Sequence, residues 1–351
     1  MATSAGTWAG SGSGDGIDLG LLRDRLVAIA MRAGRMITSA KPTTTSSAGT
    51  KKNSADLVTE TDRAVEAYIS TELSGLYPDF SFMGEETYVA GQKLGDEPTF
   101  VVDPIDGTTN FVHRFPYVSV SLGFAVKKVP TVGVVYNPFT GRLYSGIRGR
   151  GSFVFDVDVN NKRDERNEHE EDGHNERNDQ QRQTGEDGHQ VQVQVPKEEQ
   201  GTKLPVKELA SLGGLDECVV AIEFGSDRTG QNWKTKTETW ARLGRGKEDG
   251  GAMVHSARAL GSAALNLCGV AEGVLDVYWE GGCWAWDVCA GWVILTEAGG
   301  VVVDGNPSGN WDIPVDHRKY LAVKGAKDGQ GQRELVEEFW GYIEGDMVYE
   351  H

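Results

Sequence analysis

The sequence predicts a mixed α/β protein, and three observations carry that expectation. Apolar residues recur at helical spacing in several stretches, Leu22, Leu26, Ile29, Ala33 and Met36 among them, the pattern of amphipathic helices. Between these stretches lie short β-branched and aromatic runs punctuated by Gly and Pro, which read as strands. Two of the runs, 80–83 and 99–102, lead into acids, and open α/β sheets place their chemistry at the carboxyl ends of strands.

Residues 1–16 are mainly Ala, Gly, Ser and Thr. They read as a disordered tail, lacking the basic start and apolar middle of a secretory signal. A first helix covers 17–39 and stops near Pro42. Val65, Ile69 and Leu73 mark a second, which ends before Gly75 and Pro78. Strand candidates follow at 80–83, 99–102, 118–126, 131–136, 142–147 and 152–155, the last four spaced as an antiparallel meander.

From 156 to 203 the chain turns to Asn, Asp, Glu, Arg, Gln and Gly. Such a segment buries too little surface to order itself, so a disordered acidic insertion is expected. Its His169, His174 and His189 lack the spacing of metal ligands. Beyond it, 218–224 and 274–280 read as strands, with Leu260, Ala264, Leu267 and Ala271 as a helical stripe between them. A helix opens at Trp286-Asp287 and stops at Gly299-Gly300, strands are expected at 301–304 and 320–323, and Leu335–Trp340 belongs to a last helix. Residues 231–250 are polar and receive no element. The insertion thus separates two halves, 17–155 and 204–345.

Charge and cysteines narrow the partners. A formal net charge of -17 over 351 residues argues against nucleic acid and against an anionic membrane surface. No apolar run reaches the length of a membrane span. Cys218, Cys268, Cys283 and Cys289 have neither zinc nor disulfide-framework spacing, and are expected as buried thiols of a reducing, cytoplasmic compartment.

The chemistry centres on Asp103-Pro104-Ile105-Asp106-Gly107-Thr108-Thr109-Asn110-Phe111. Pro104 stiffens the turn, so both carboxylates aim at one region. Two close anions repel unless a cation lies between them, and hard oxygen ligands at this density suit Mg²⁺. Gly107-Thr108-Thr109-Asn110 offers N–H groups and hydroxyls to a phosphate. Glu85 closes the neighbouring strand and Asp287 opens a helix. Asp62 falls in a helix's first turn, where capping explains it as readily as catalysis does.

Gly84-Glu85-Glu86-Thr87, the run from Asp103 to His113, and Trp286-Asp287-Val288-Cys289-Ala290-Gly291 occur in that order, preceded by Asp56–Asp62. Together they resemble the inositol monophosphatase family of Mg²⁺-dependent, lithium-sensitive phosphatases, over about residues 21 to 300. The resemblance implies a layered αβαβα sandwich assembled as a homodimer. It implies Glu85, Asp103, the Ile105 carbonyl, Asp106 and Asp287 as ligands for two or three Mg²⁺. Asp62 and Thr108, with Glu85 assisting, would activate the attacking water, and the N–H groups of Gly107 and Thr108 would hold phosphate. Ser226, the Ala263 backbone and Glu280 would meet substrate hydroxyls, and Lys51 would sit near the metal loop.

The activity so implied is hydrolysis of myo-inositol monophosphate to inositol and phosphate. The rivals are a related phosphatase acting on adenosine 3',5'-bisphosphate or a sugar phosphate, a relative in quinate metabolism, and a non-catalytic binding relative. The last would be expected to lose a metal acid, and all four are kept. Gly281-Gly282-Cys283-Trp284-Ala285 is a Gly- and Trp-rich run close to the expected substrate position, and it leaves specificity open.

Overall fold

The computed structural model describes residues 16–40, 49–50, 57–159 and 194–350. Lys51, the predicted tail up to residue 15, and the centre of the insertion with its three histidines lie outside the described residues.

The chain opens with helix α1 (Leu19–Ser39), the two-residue strands β1 (Gly49–Thr50) and β2 (Leu57–Val58), and helix α2 (Glu60–Leu76). Next come β3 (Ser81–Gly84), β4 (Thr99–Asp106) and the short helix α3 (Thr108–His113), then the meander β5 (Ser119–Val126), β6 (Val129–Asn137), β7 (Arg142–Ile147) and β8 (Gly151–Asp156). After the insertion follow β9 (Thr202–Lys203), β10 (Val219–Ile222), α4 (Gly230–Gly244), β11 (Ser256–Arg258) and α5 (Ala263–Glu272). The chain continues with β12 (Val277–Gly281), α6 (Ala285–Glu297), β13 (Val301–Asp304), β14 (Lys319–Val323) and α7 (Gln332–Tyr342).

Two main sheets organise these elements, and β1 and β2 pair separately as a two-stranded ribbon. A seven-stranded sheet runs β3-β4-β5-β6-β7-β8-β9; β3 and β4 pair in parallel and the rest antiparallel, as the meander reading expected. A five-stranded sheet runs β11-β10-β12-β14-β13. Leu22, Leu26, Ala33, Val65 and Ile69 of α1 and α2 pack on one face of the large sheet. Its other face and the near face of the small sheet enclose α5 and α6. Leu243 of α4 and Val336 and Phe339 of α7 cover the small sheet's outer face. The order is helix, sheet, helix, sheet, helix.

The central layer is close because the large sheet is stripped of side chains where α6 lies. Gly123, Gly133 and Gly146 are register neighbours on β5, β6 and β7. A Cβ added at Gly133 would stand 2.2 Å from the Ala290 carbonyl oxygen, and one at Gly123 would stand 2.6 Å from Cys289 Sγ. The three glycines form a trough in which α6 is seated, and that seat fixes where the helix begins. Gly133→Ala must push α6 and the sheet apart, so we expect a loss of about 1–3 kcal/mol, read as a lower urea midpoint at unchanged m-value.

Two sequence expectations are corrected. The unassigned stretch 231–250 holds a full helix, α4. Its buried stripe is Lys236, Thr239 and Leu243, helical in spacing but largely polar in composition, so apolar periodicity does not mark it. The insertion is narrower than 156–203: Asp156 ends β8, Glu198–Gln200 form a 3₁₀ turn, and Thr202–Lys203 pair with Val154 and Phe153. Edge pairing supplies the order that this stretch cannot draw from burial of its own. The four cysteines are free and buried, as expected.

Candidate active site

A cavity of ≈ 740 Å³ opens between the two halves, lined by Glu85, Asp106, Gly107, Thr108, Ser226, Ala263, Glu280 and Asp287. That volume is typical of small-molecule sites. Strand ends and the N-termini of α3, α5 and α6 meet around it, and a helix N-terminus turns a positive dipole end toward an anion.

Asp62 caps its own helix and also reaches across to the start of another. Its Oδ2 accepts the Thr59 N–H at 2.9 Å and the Thr59 hydroxyl, completing a capping box at the start of α2. Its Oδ1 accepts the Thr108 hydroxyl at 2.9 Å, from the start of α3. Burial raises its pKa, opposed by the hydrogen bonds from Thr59 and Thr108. The same Thr108 hydroxyl lies 3.1 Å from the Ile105 carbonyl oxygen. While Thr108 donates its proton to Asp62, its oxygen lone pairs are left to accept from a water or substrate hydroxyl.

Asp103 and Asp106 leave β4 through the turn that Pro104 stiffens. Asp103 Oδ1 accepts the Ile105 N–H at 2.9 Å. Burial, and then the charges of Glu85, Asp106 and Asp287, hold its carboxyl well above the usual carboxylate range. Asp106 is also a joint between the halves: its oxygens accept the Ala264 N–H at 2.9 Å, the Ala263 N–H at 3.2 Å, and the hydroxyls of Ser262 and Ser119. Burial pushes Asp106 up to about 6 against those hydrogen bonds. Asp287 Oδ2 accepts the Trp284 N–H at 2.6 Å, and burial, then Glu85 and Asp106, raise its pKa well above normal.

Acids crowded so that burial and each other's charge raise the Asp103 and Asp287 carboxyls well above the usual range suit a divalent cation, whose charge removes the repulsion. Among the described residues, no three His, Cys, Asp or Glu side chains are gathered as a ready-made cage. Asp103 and Glu85 share a hydrogen bond, and the remaining acids share their field without joining them at one point. Asp103 and Ile105 stand behind the cavity wall, whereas Glu85, Asp106 and Asp287 line it.

On the far side, Ser226 and Glu280 line the cavity, as does Ala263, whose N–H is directed to Asp106. Glu280 accepts the Tyr278 hydroxyl, and burial pushes it up to about 7. Several wall residues received no role of their own in the sequence reading, although Asn110, Trp284 and Trp286 lie in runs it quoted. Asn110 donates to the Leu260 and Tyr117 carbonyls at 2.7 and 2.8 Å and so closes the two halves over α3. Tyr88, Trp284 and Trp286 cluster with ring centroids 5.0 to 5.2 Å apart, and the Arg318 guanidinium lies 3.4 Å over Trp284. Asn110 stood inside the quoted motif; for Arg318, 31 residues beyond Asp287, no local signal exists.

An αβαβα sandwich with a carboxylate-walled, anion-facing cavity between its sheets defines a phosphatase of the sugar-phosphate type. The inositol monophosphatase family model matches residues 21–344. Inositol monophosphatase 2 of Saccharomyces cerevisiae is 40% identical over 322 residues, covering 91% of this chain and 93% of its own. Inositol monophosphatase 1 of Sus scrofa is 36% identical over 256 residues, covering 72% and 73%. The solved inositol monophosphatase of Anabaena shares the fold with a TM-score of 0.63 at 23% identity, over 93% of this chain and 98% of its own. The chain belongs to the inositol monophosphatase family.

Proposed function

We propose that this phosphatase is a Mg²⁺-dependent phosphomonoesterase that hydrolyses myo-inositol monophosphate to inositol and phosphate. The Thr108–Asp62 hydrogen bond across two helix starts, beside the acids of β4 and α6, is the observation that carries the reading. Glu85, Asp103, the Ile105 carbonyl, Asp106 and Asp287 would hold two or three Mg²⁺ ions. When bound, such ions supply Lewis acidity and make water more acidic.

The chain's own residues do the rest. Thr108 accepts the proton of a water placed at its oxygen and passes its own to Asp62, whose raised pKa suits it to receive one. Glu85 lies across the same cavity and assists. The N–H groups of Gly107 and Thr108 hold phosphate oxygens at the start of α3. Ser226, Glu280 and the Ala263 backbone orient the ring hydroxyls. The reading also takes in lithium sensitivity, a homodimer in solution and a cytoplasmic location; no helix among the described residues is long and apolar enough to cross a membrane.

The test is phosphate release from inositol 1-phosphate with Mg²⁺ or with a chelator, beside adenosine 3',5'-bisphosphate and fructose 1,6-bisphosphate. Mg²⁺-dependent release from the inositol ester is expected, and preference for either other ester would move the substrate. A pH arm follows from Glu280, whose carboxyl titrates at about 7. Only its ionised form is a pure acceptor for ring hydroxyls. KM for inositol 1-phosphate is therefore expected to fall as pH rises from about 6 to about 8, and Glu280→Gln to flatten that slope. An unchanged slope in the variant would remove Glu280 from substrate binding.

A further inference from the structure

The residues after α7 turn back over the cavity. Met347 exchanges two hydrogen bonds with the Asn306 side chain, its N–H donating to Oδ1 and its carbonyl accepting from Nδ2, both at 2.9 Å. Val348 does the same with Asn232 of α4, at 2.8 and 2.9 Å. Arg318 donates to the Glu350 carbonyl at 2.8 Å. Each amide side chain acts as a short strand edge, so the backbone of 347–348 is pinned on both sides. Met347 is 1% exposed and belongs to the core of the small sheet.

This pinning places Tyr349 in the cavity wall, beside Asp227, Glu280 and Arg318. Its phenol shares a hydrogen bond with Asp227. Its ring has the Lys236 ammonium and the Arg318 guanidinium each 5.6 Å from the centroid. Lys236 is a wholly buried cation of α4 whose Nζ donates to the Gly281 carbonyl at 2.6 Å and the Phe224 carbonyl at 3.1 Å. Two fixed cations hold the ring by its electron-rich π system.

The Gly281-Gly282 pair of the Gly- and Trp-rich run has its reason here. A Cβ at Gly281 would lie 2.8 Å from Tyr349 Cε2 and 2.5 Å from Met347 Sδ. One at Gly282, where φ is +102°, would lie 3.1 Å from Tyr349 Cε1. The two glycines directly after Glu280 are the seat of this tyrosine. Tyr349 also lies beyond the residues that the family model matches.

We propose that Tyr349, held in place by the segment Glu344–Glu350, completes the far wall of the substrate cavity and is a specificity-determining residue, its ring seating the non-reacting face of a cyclitol beside Glu280. The inference rests on the inositol phosphate reading. A cyclitol turns its C–H groups to an aromatic face and its hydroxyls to Glu280 and Asp227, while a short acyclic phosphate ester does not reach this wall.

The experiment compares kcat and KM for inositol 1-phosphate and glycerol 2-phosphate, with Mg²⁺, in wild type, Tyr349→Ala, Tyr349→Phe and Asn232→Ala, after thermal melting shows each variant folded. Tyr349→Ala is expected to raise KM for the inositol ester about tenfold with kcat nearly unchanged, and to leave both constants for glycerol 2-phosphate as in wild type. Tyr349→Phe keeps ring and cations and is expected to retain the preference. Asn232→Ala, which unpins Val348, is expected to follow Tyr349→Ala. Equal effects on both esters, or none on either, overturn the role of Tyr349. The wild type answers the prior question separately: if it turns over glycerol 2-phosphate but not inositol 1-phosphate, the substrate reading falls and this inference with it.

Discussion

Asp103→Asn is expected to leave the metal-free protein at least as stable as wild type while lowering Mg²⁺-dependent phosphate release by about 10³-fold or more. Two different energies produce the two results. In the metal-free fold Asp103 is buried among like charges and its pKa is well above the usual range. A carboxyl raised in this way weakens the fold as pH climbs from its unfolded pKa toward its folded one, by about 1.4 kcal/mol for each tenfold gain in its proton affinity. Asparagine removes that charge and keeps the oxygen that accepts the Ile105 N–H. It also removes an anionic ligand from the expected cation site, where several kcal/mol of charge stabilisation correspond to about three decades in rate. Melting curves with and without Mg²⁺ check both sides: Mg²⁺ raises the wild-type midpoint by mass action and leaves the variant's nearly unmoved. A wild type indifferent to Mg²⁺ would end the argument for these ligands.

Thr108→Val is expected to cut kcat by about 10²–10⁴-fold, the usual worth of a positioned proton acceptor, with KM little changed. Valine keeps the shape and loses only the hydroxyl that Asp62 receives. Thr108→Ser should recover most of the loss. Asp62→Asn is the companion variant, because asparagine still accepts the Thr59 N–H and preserves the cap of α2. It should therefore melt close to wild type and still be slow. A variant that melts early with normal kcat would assign Asp62 to capping alone.

The sequence made the acids of the site legible because each stands at an element boundary that local pattern reveals. Asp103 follows the apolar run of β4, Asp62 follows a Thr that can cap, and Asp287 opens an apolar helix. The strand meander was legible for the same reason. Of the substrate wall, Ser226, Ala263, Glu280 and the run 281–285 were legible through the family resemblance, and the remainder was not. Lys236 and Thr239 lie on the buried face of α4, where polar side chains hide the helical period. Arg318 reaches the cavity from a loop distant in sequence, through hydrogen bonds to backbone carbonyls that any residue supplies, and Tyr349 through asparagines that grip the backbone of the two residues before it. Ser119 and Ser262, which hold Asp106, look like ordinary strand and cap residues until the two sheets are brought together.

The glycine trough under α6 gives the two walls of the cavity different lifetimes. α6 lies in the closed central layer, packed by Cys289, Ala290 and Ile294 against three strands, so Asp287 leaves its place only when the whole centre opens. Amide hydrogens along α6 should exchange at the rate of global unfolding. The wall made by Tyr349 is tied mainly by two asparagine side chains and one arginine, and its amides should exchange through local opening, many times sooner. Asp287 thus persists as long as the fold does, while the wall proposed to choose the substrate is renewed repeatedly within that span.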